Sequence, residues 1–255
     1  MKEKTATKKH LLKILRENKK LFVTFLVTIL FIFTTLSIPS IDYKLGNIFF
    51  GQVPRLYNLT LAQLFFTHAS YPPLGKPYPY AHHQLSRTYF ISGNLNIALS
   101  EAKKELEMYP ENTATYYILG LTYGFMNMEE EAIDAFSQFI QYNPDSWAAK
   151  NDKAWLQFRI GDIDGSLKTM KSAVLSHGDN PWVLNTYGTL LINKKRYREA
   201  GVILEKALAY AKMMTEEEWG NAYPGNDPRI YKVGLQAMIS SIQGNLAIVK
   251  NTHLK

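Results

Sequence analysis

A 34-residue period constrains this chain more than any other feature. A small residue recurs at Ala98, Ala132, Ser166 and Ala200, and Pro110 and Pro144 stand one period apart. Apolar and turn residues follow in the same register. The first copy carries Leu85, Tyr89 and Gly93; the second Tyr116, Leu119, Gly120, Tyr123 and Phe136; the fourth Leu184, Tyr187, Gly188, Leu191, Leu204 and Ala207. The third is the weakest, with Lys153 and Gln157 at apolar positions, yet it keeps Trp147, Ala154, the Gly161-Asp162 turn, Met170 and Ala173. A unit this short cannot bury its own apolar face, so such units are stable only when several stack on one another. Small residues at fixed places let two helices cross closely, and the larger ones fill the space between neighbouring units.

The second copy, Thr113 to Pro144, holds the most specific pattern. Tyr116, Leu119, Gly120 and Tyr123 give aromatic-x2-Leu-Gly-x2-Tyr, and Ala132, Phe136 and the terminal Pro144 complete it. This segment resembles a tetratricopeptide repeat (TPR). The resemblance extends over four repeats in residues 79–212. It implies an all-α, TPR-type right-handed superhelical solenoid of helix-turn-helix repeats with a concave groove lined by each repeat's first helix. Carried onto this sequence, the groove positions include His83, Arg87 and Phe90; Tyr117, Leu121 and Phe125; Asn151, Trp155 and Arg159; and Trp182, Asn185 and Thr189. Such a surface would be aromatic at its centre, with amides and arginines placed to fix an extended peptide backbone. Exposed aromatics beside arginine are the residue types that anchor protein interfaces. Members that hold a C-terminal carboxylate use lysines and asparagines at set positions. Here those positions carry His83, Arg87, Ala148 and Asp152, which argues against that mode.

The net charge of +7 is concentrated at one end. Residues 1–20 hold eight Lys or Arg against two Glu, and the remainder holds 21 basic against 20 acidic residues. The repeat region is close to neutral, which argues against nucleic-acid binding. Directly after Lys20 comes LFVTFLVTILFIFTTLSIPSI, uncharged until Asp42 and apolar on every face. Its length before Pro39 is near the lower limit for a membrane-spanning helix. Thr35-Leu36-Ser37 makes a poor cleavage site, so the expectation is an uncleaved signal anchor over 21–41 rather than a removed signal peptide. The basic tail 1–20 would then be cytoplasmic and the repeats would lie across the membrane.

Residues 42–78 read as a juxtamembrane connector with a turn near Gly51 to Pro54 and one degenerate capping helix, Leu59 to Ser70. Four prolines between Tyr71 and Tyr80 prevent a helix there. Asn180-Pro181 and Asp145 are expected to start helices. Residues 213–255 read as a turn-rich loop, with Glu216 to Glu218 in a solvated turn and Pro224 to Asp227 at its centre. A capping helix follows, with Ile230, Val233, Leu235, Ala237, Met238, Ile242, Leu246 and Val249 as its apolar positions.

No grouping of chemically active residues stands out. There is no cysteine, which removes disulfides, thiolate metal sites and cysteine nucleophiles. His82 and His83 are adjacent, about 100° apart on a helix, and read as ordinary surface histidines rather than metal ligands. Glu129 to Glu131 suits a helix N-terminus. No phosphate-binding loop or nucleophile elbow is present. The chain therefore reads as a non-enzymatic, membrane-anchored scaffold or adaptor that needs no cofactor and binds a protein or peptide in its groove. Cell-envelope assembly or secretion is the expected setting. The alternatives are an accessory subunit of a membrane enzyme complex and an organelle import or targeting receptor. The sequence leaves the oligomeric state open.

Overall fold

The computed structural model describes residues 38–222 and 230–252, together with Lys19, Val23 and Thr24. The basic tail apart from Lys19, residues 21–22 and 25–37 of the expected anchor over 21–41, and the turn at Pro224 to Asp227 lie outside the described residues. Among the described residues, no helix is long and apolar enough to cross a membrane.

The described chain is helical and free of strands. It runs α1 (Pro39–Asn47), α2 (Leu59–Ser70), α3 (Ala81–Ile91), α4 (Leu95–Met108), α5 (Thr115–Phe125), α6 (Glu129–Tyr142), α7 (Trp147–Arg159), α8 (Ile163–Ser176), α9 (Pro181–Asn193), α10 (Tyr197–Met213), α11 (Glu216–Asn221) and α12 (Tyr231–Thr252). Helices α3 to α10 form four pairs, each packed within itself and against the next, as the period requires.

The period is visible in the backbone. The turn inside each pair holds one left-handed residue, at Gly93 (φ 78°), Asn127 (57°), Gly161 (84°) and Lys195 (58°), each one period after the last. Glycine takes that conformation freely and asparagine tolerates it, but a lysine does so against its Cβ. Close helix crossings explain the small residues. A Cβ on Gly120 would stand 2.9 Å from the Phe136 ring, and one on Gly188 would stand 2.6 Å from Leu204. Where the crossing residue is serine, its hydroxyl bonds the facing helix. Ser86 Oγ donates to Ala98 O at 2.8 Å, and Ser166 Oγ to Ala154 O at 2.7 Å.

The N-terminal region corrects the sequence reading. Residues 42–58, expected as a connector with a turn near Gly51 to Pro54, are largely helical: α1 begins at Pro39 and continues into a π-helical turn, Ile48–Gln52, and a short 3₁₀ turn, Pro54–Leu56. Helix α2 is not a lone capping helix, because α1 packs along it. A Cβ on Gly46 would meet Phe66 at 2.5 Å, the same relation as Gly120 to Phe136. Ala62 and Phe66, both buried, reproduce the Ala-x3-Phe spacing of Ala132 and Phe136. The pair α1–α2 is thus a further, diverged repeat at the N-terminal end of the stack.

Helix starts follow their caps. Asn58, Asp162 and Asn180 each accept from a backbone N–H of the following first turn. For α7 the cap is Ser146 rather than Asp145. Glu216 to Glu218 are solvent-exposed, as expected, but they form the first turn of α11 rather than a loop turn, closed by a reciprocal Thr215–Glu218 capping box. In α12 the buried positions are Leu235, Met238, Ile242, Leu246 and Val249, packed with Leu204, Ala207 and Ala211 of α10. The exposed Val233, Ala237 and Ile230 fall off that stripe.

Candidate functional site: a half-open concave groove

The first helices of the repeats bring the expected groove residues of α3 and α5 together. His83, Arg87 and Phe90 of α3 face Tyr117, Leu121 and Phe125 of α5. Ile91, Ala114, Ile118, Phe139, Ser146, Trp147, Ala148 and Ala222 complete a cavity of about 600 Å³. Phe125 is 68% exposed and meets the half-buried Phe90 edge-on, with centroids 5.2 Å apart. Tyr117 lies edge-on to Phe136 and beside Phe139, and its hydroxyl donates to Asp152 at 2.7 Å. The position where a carboxylate-binding member would need a cation is therefore an acid already engaged by the groove wall. A smaller recess of about 290 Å³ follows, between α5 and α7, lined by Leu121, Phe125, Asp152, Trp155 and Arg159 among others.

The two polar groups at the α3 wall have distinct electrostatics. Burial, reinforced by the Arg87 charge, pushes the His83 imidazole down to about 3, so it is neutral across the physiological range. Its Nδ1 lies 3.1 Å from Thr115 Oγ1. Burial also lowers the Arg87 guanidinium to about 10, still a cation at neutral pH. Arg87 lies 4.7 Å over the Phe50 ring and donates to Gln84 Oε1 at 2.8 Å. This wall therefore presents one cation and a neutral ring among apolar side chains.

Neither adjacent histidine is an ordinary surface residue. His82 is buried, and its Nδ1 bonds Glu101 Oε2 at 2.6 Å. Tyr71 Oη donates to Glu101 Oε1 at 2.6 Å and Lys104 Nζ donates to it at 2.9 Å. Burial alone would raise the Glu101 carboxyl, but the hydrogen bonds from His82, Tyr71 and Lys104 outweigh it and hold the group below its usual range. One turn along, the fully buried Glu105 accepts the His83 backbone N–H at 3.1 Å and Asn112 Nδ2 at 2.8 Å. It thereby caps α3, whose own N-cap position, Tyr80, supplies no side-chain bond. Burial raises this carboxyl. These groups lie behind the groove, and their interactions order α3.

The expected groove is open over only part of α7 and does not continue along α9. Asn151 is buried because its Oδ1 accepts from Thr186 Oγ1 at 2.6 Å, which joins α7 to α9. Trp182 is stacked on Trp147 at 5.4 Å on one side and approached by Trp219 at 6.4 Å. Asn245 of α12 donates through Nδ2 to Asn185 Oδ1 at 2.9 Å and to Thr189 Oγ1 at 3.0 Å. Asn151, Trp182, Asn185 and Thr189 are thus joined to the fold itself, and α12 takes the place of a ligand along α9. Arg159 stays at the rim, where it donates to Asn127 Oδ1, Glu129 Oε1 and Gly124 O. Trp155 remains 36% exposed, edge-on to Phe158. Sequence reasoning missed Trp147 and Phe139 as groove walls. Trp147 was legible as a bulky residue at the start of α7, and Phe139 as the apolar residue one turn after Phe136. Among the described residues, no group of three or more His, Asp or Glu side chains is arranged to hold a metal ion.

Residues 114–146, the α5–α6 unit, match the tetratricopeptide repeat family. Over 123 residues the chain is 27% identical to a curated protein described as BBSome complex member BBS4, from Bos taurus. That match covers 48% of this chain and 24% of BBS4, so the chain spans about a quarter of its relative's length. Among solved structures the fold superposes on MamA protein with a TM-score of 0.57 at 19% identity, covering 68% of this chain and 92% of that one. It also superposes on a thermophilic TPR protein of Thermus thermophilus with a TM-score of 0.52 at 21% identity, covering 78% and 99% of the two chains. Residues 114–146 thus match a tetratricopeptide repeat, and the described chain folds as an all-α helical-repeat solenoid like the solved structures on which it superposes.

Proposed function

We propose that this chain is a membrane-anchored adaptor that holds an extended, apolar segment of a partner protein against α3, α5 and the start of α7. The observation that carries the reading is the cavity between Phe90, Tyr117, Leu121, Phe125 and Trp147, apolar over most of its wall and open where α12 does not reach. A globular chain has no internal need for Phe125 to stand two-thirds exposed beside Leu121 in a concave surface. Extended peptides with apolar side chains complement such a wall, and Arg87 at its edge favours one acidic group in the ligand. BBS4 is described as a member of a complex, which accords with a part in assembly rather than catalysis. The anchor is read from residues 21–41, with the basic tail cytoplasmic. Cell-envelope assembly or secretion is then the setting.

Peptide display against the full-length protein in nanodiscs tests this reading. Enriched peptides are expected to carry two or more large apolar residues in an extended stretch. Leu121→Glu, which places a charge on the groove floor, is expected to weaken their binding at least tenfold, about 1.4 kcal/mol. Asn185→Ala, beneath α12, should leave binding unchanged. Equal binding to the native protein and to Leu121→Glu would overturn the groove as the site.

A further inference from the structure

Among the described residues, the N-terminal repeat leaves an apolar face with no repeat stacked before it. Ile38 and Ile41 on α1 are 53% and 50% exposed, and Leu64 on α2 is 47% exposed. Val53 and Leu56 in the turns between these helices are exposed as well. The charges around them share one sign. Within residues 38–70 the only acid is Asp42, which is buried, whereas Lys44 and Arg55 are exposed. Ile38 is also the last residue before Pro39 in the uncharged run that starts at Leu21. Its backbone is extended (φ −96°, ψ 102°) and Pro39 opens α1, so no linker separates the run from the first repeat.

We infer that the exposed face of α1 and α2 rests on the surface of a lipid bilayer containing anionic headgroups. The inference depends on the anchor reading above. If the stretch before Pro39 ends at the bilayer boundary, Ile41 begins no more than about 5 Å from it at 1.5 Å per helical residue. Apolar side chains that enter the acyl boundary, flanked by Lys and Arg without a competing exposed acid, are the chemistry of an interfacial contact. A second copy fits less well, because a two-fold contact through this face would bring the Lys44 and Arg55 side chains of both copies together without an acid to offset them. Docking here would hold the solenoid at a fixed attitude to the membrane and point its groove in one direction.

The chain has no cysteine, so single probes can be placed cleanly. Full-length Ile41→Cys, Leu64→Cys, Leu175→Cys and Val202→Cys variants would be labelled with an environment-sensitive fluorophore. They would be reconstituted in vesicles of phosphatidylcholine with and without phosphatidylglycerol. Labels at positions 41 and 64 are expected to shift to the blue and to lose at least half their intensity to spin-labelled lipid, more strongly with phosphatidylglycerol present. Labels at 175 and 202 are expected to do neither. Alkaline extraction of the same vesicles reads the anchor separately. Release of the protein would overturn the anchor and this contact together. Retention with unquenched labels at 41 and 64 would overturn the contact alone. A blue shift that ignores spin-labelled lipid and grows with protein density would assign the face to a second copy and overturn the proposal.

Discussion

Lys195 occupies the left-handed turn position that Gly93 and Gly161 fill in other repeats. Lys195→Gly is therefore expected to stabilise the protein by about 0.5–1 kcal/mol, read as a rise in thermal midpoint. No change or a fall would show that the lysine earns its place through contacts along its stem. The two buried glutamates of α4 should respond in opposite ways to neutralisation. Glu105 has a raised folded-state value, so its contribution is complete below the ordinary carboxylate value and falls away as pH rises above it. Glu105→Gln keeps an acceptor for the His83 N–H and should cost nothing at neutral pH, whereas Glu105→Ala removes the cap on α3 and should cost about 1–2 kcal/mol. Glu101 has a depressed value, so its stabilisation is present above the ordinary carboxylate range and lost as pH falls. His83 adds to acid sensitivity. Its folded value of about 3 means the unfolded chain binds a proton between pH 6.5 and 3 that the folded chain refuses, so stability rises with pH through that window. His83→Gln should flatten the thermal midpoint between pH 7 and 5. An unchanged slope would mean that His83 is protonated in the folded state.

At the scale of helices, the crossing residues test whether α1–α2 is a true repeat. Gly46→Ala, Gly120→Ala and Gly188→Ala each force a Cβ into a large side chain of the paired helix, and each is expected to cost about 1–3 kcal/mol. A neutral Gly46→Ala would separate α1–α2 from the others. This pair was hidden in the sequence for a physical reason. Ala62 precedes Ala98 by 36 residues and Gly46 precedes Ser86 by 40, because a π-helical turn and a proline-rich connection add length that packing tolerates and a strict period does not. The Ala62-x3-Phe66 spacing was the one local sign of it. Repeats α3 to α10 were legible because identical packing demands identical spacing. The occupation of α9 by α12 was not, since Asn245 reaches Asn185 across 60 residues and no periodicity links them. The family-derived groove positions line an open cavity along α3 and α5 and are engaged by the fold itself along α9. Asn245→Ala should cost about 1 kcal/mol by removing both bonds to α9.

The described residues form a helical-repeat stack closed by α12 at one end and presenting an apolar, basic face at the other. Between them the concave surface is open along α3 and α5 and filled along α9, so the account places the binding function in the N-terminal half of the groove. Site-specific photo-crosslinking in intact membranes tests that claim most directly, with the photoreactive residue at Phe125, at Asn185 beneath α12, or at the 82% exposed Leu175. The prediction is a discrete adduct from position 125, abolished by Leu121→Glu, and none from 185 or 175. Adducts from 175 with none from 125 would contradict the account and move the binding surface out of the groove.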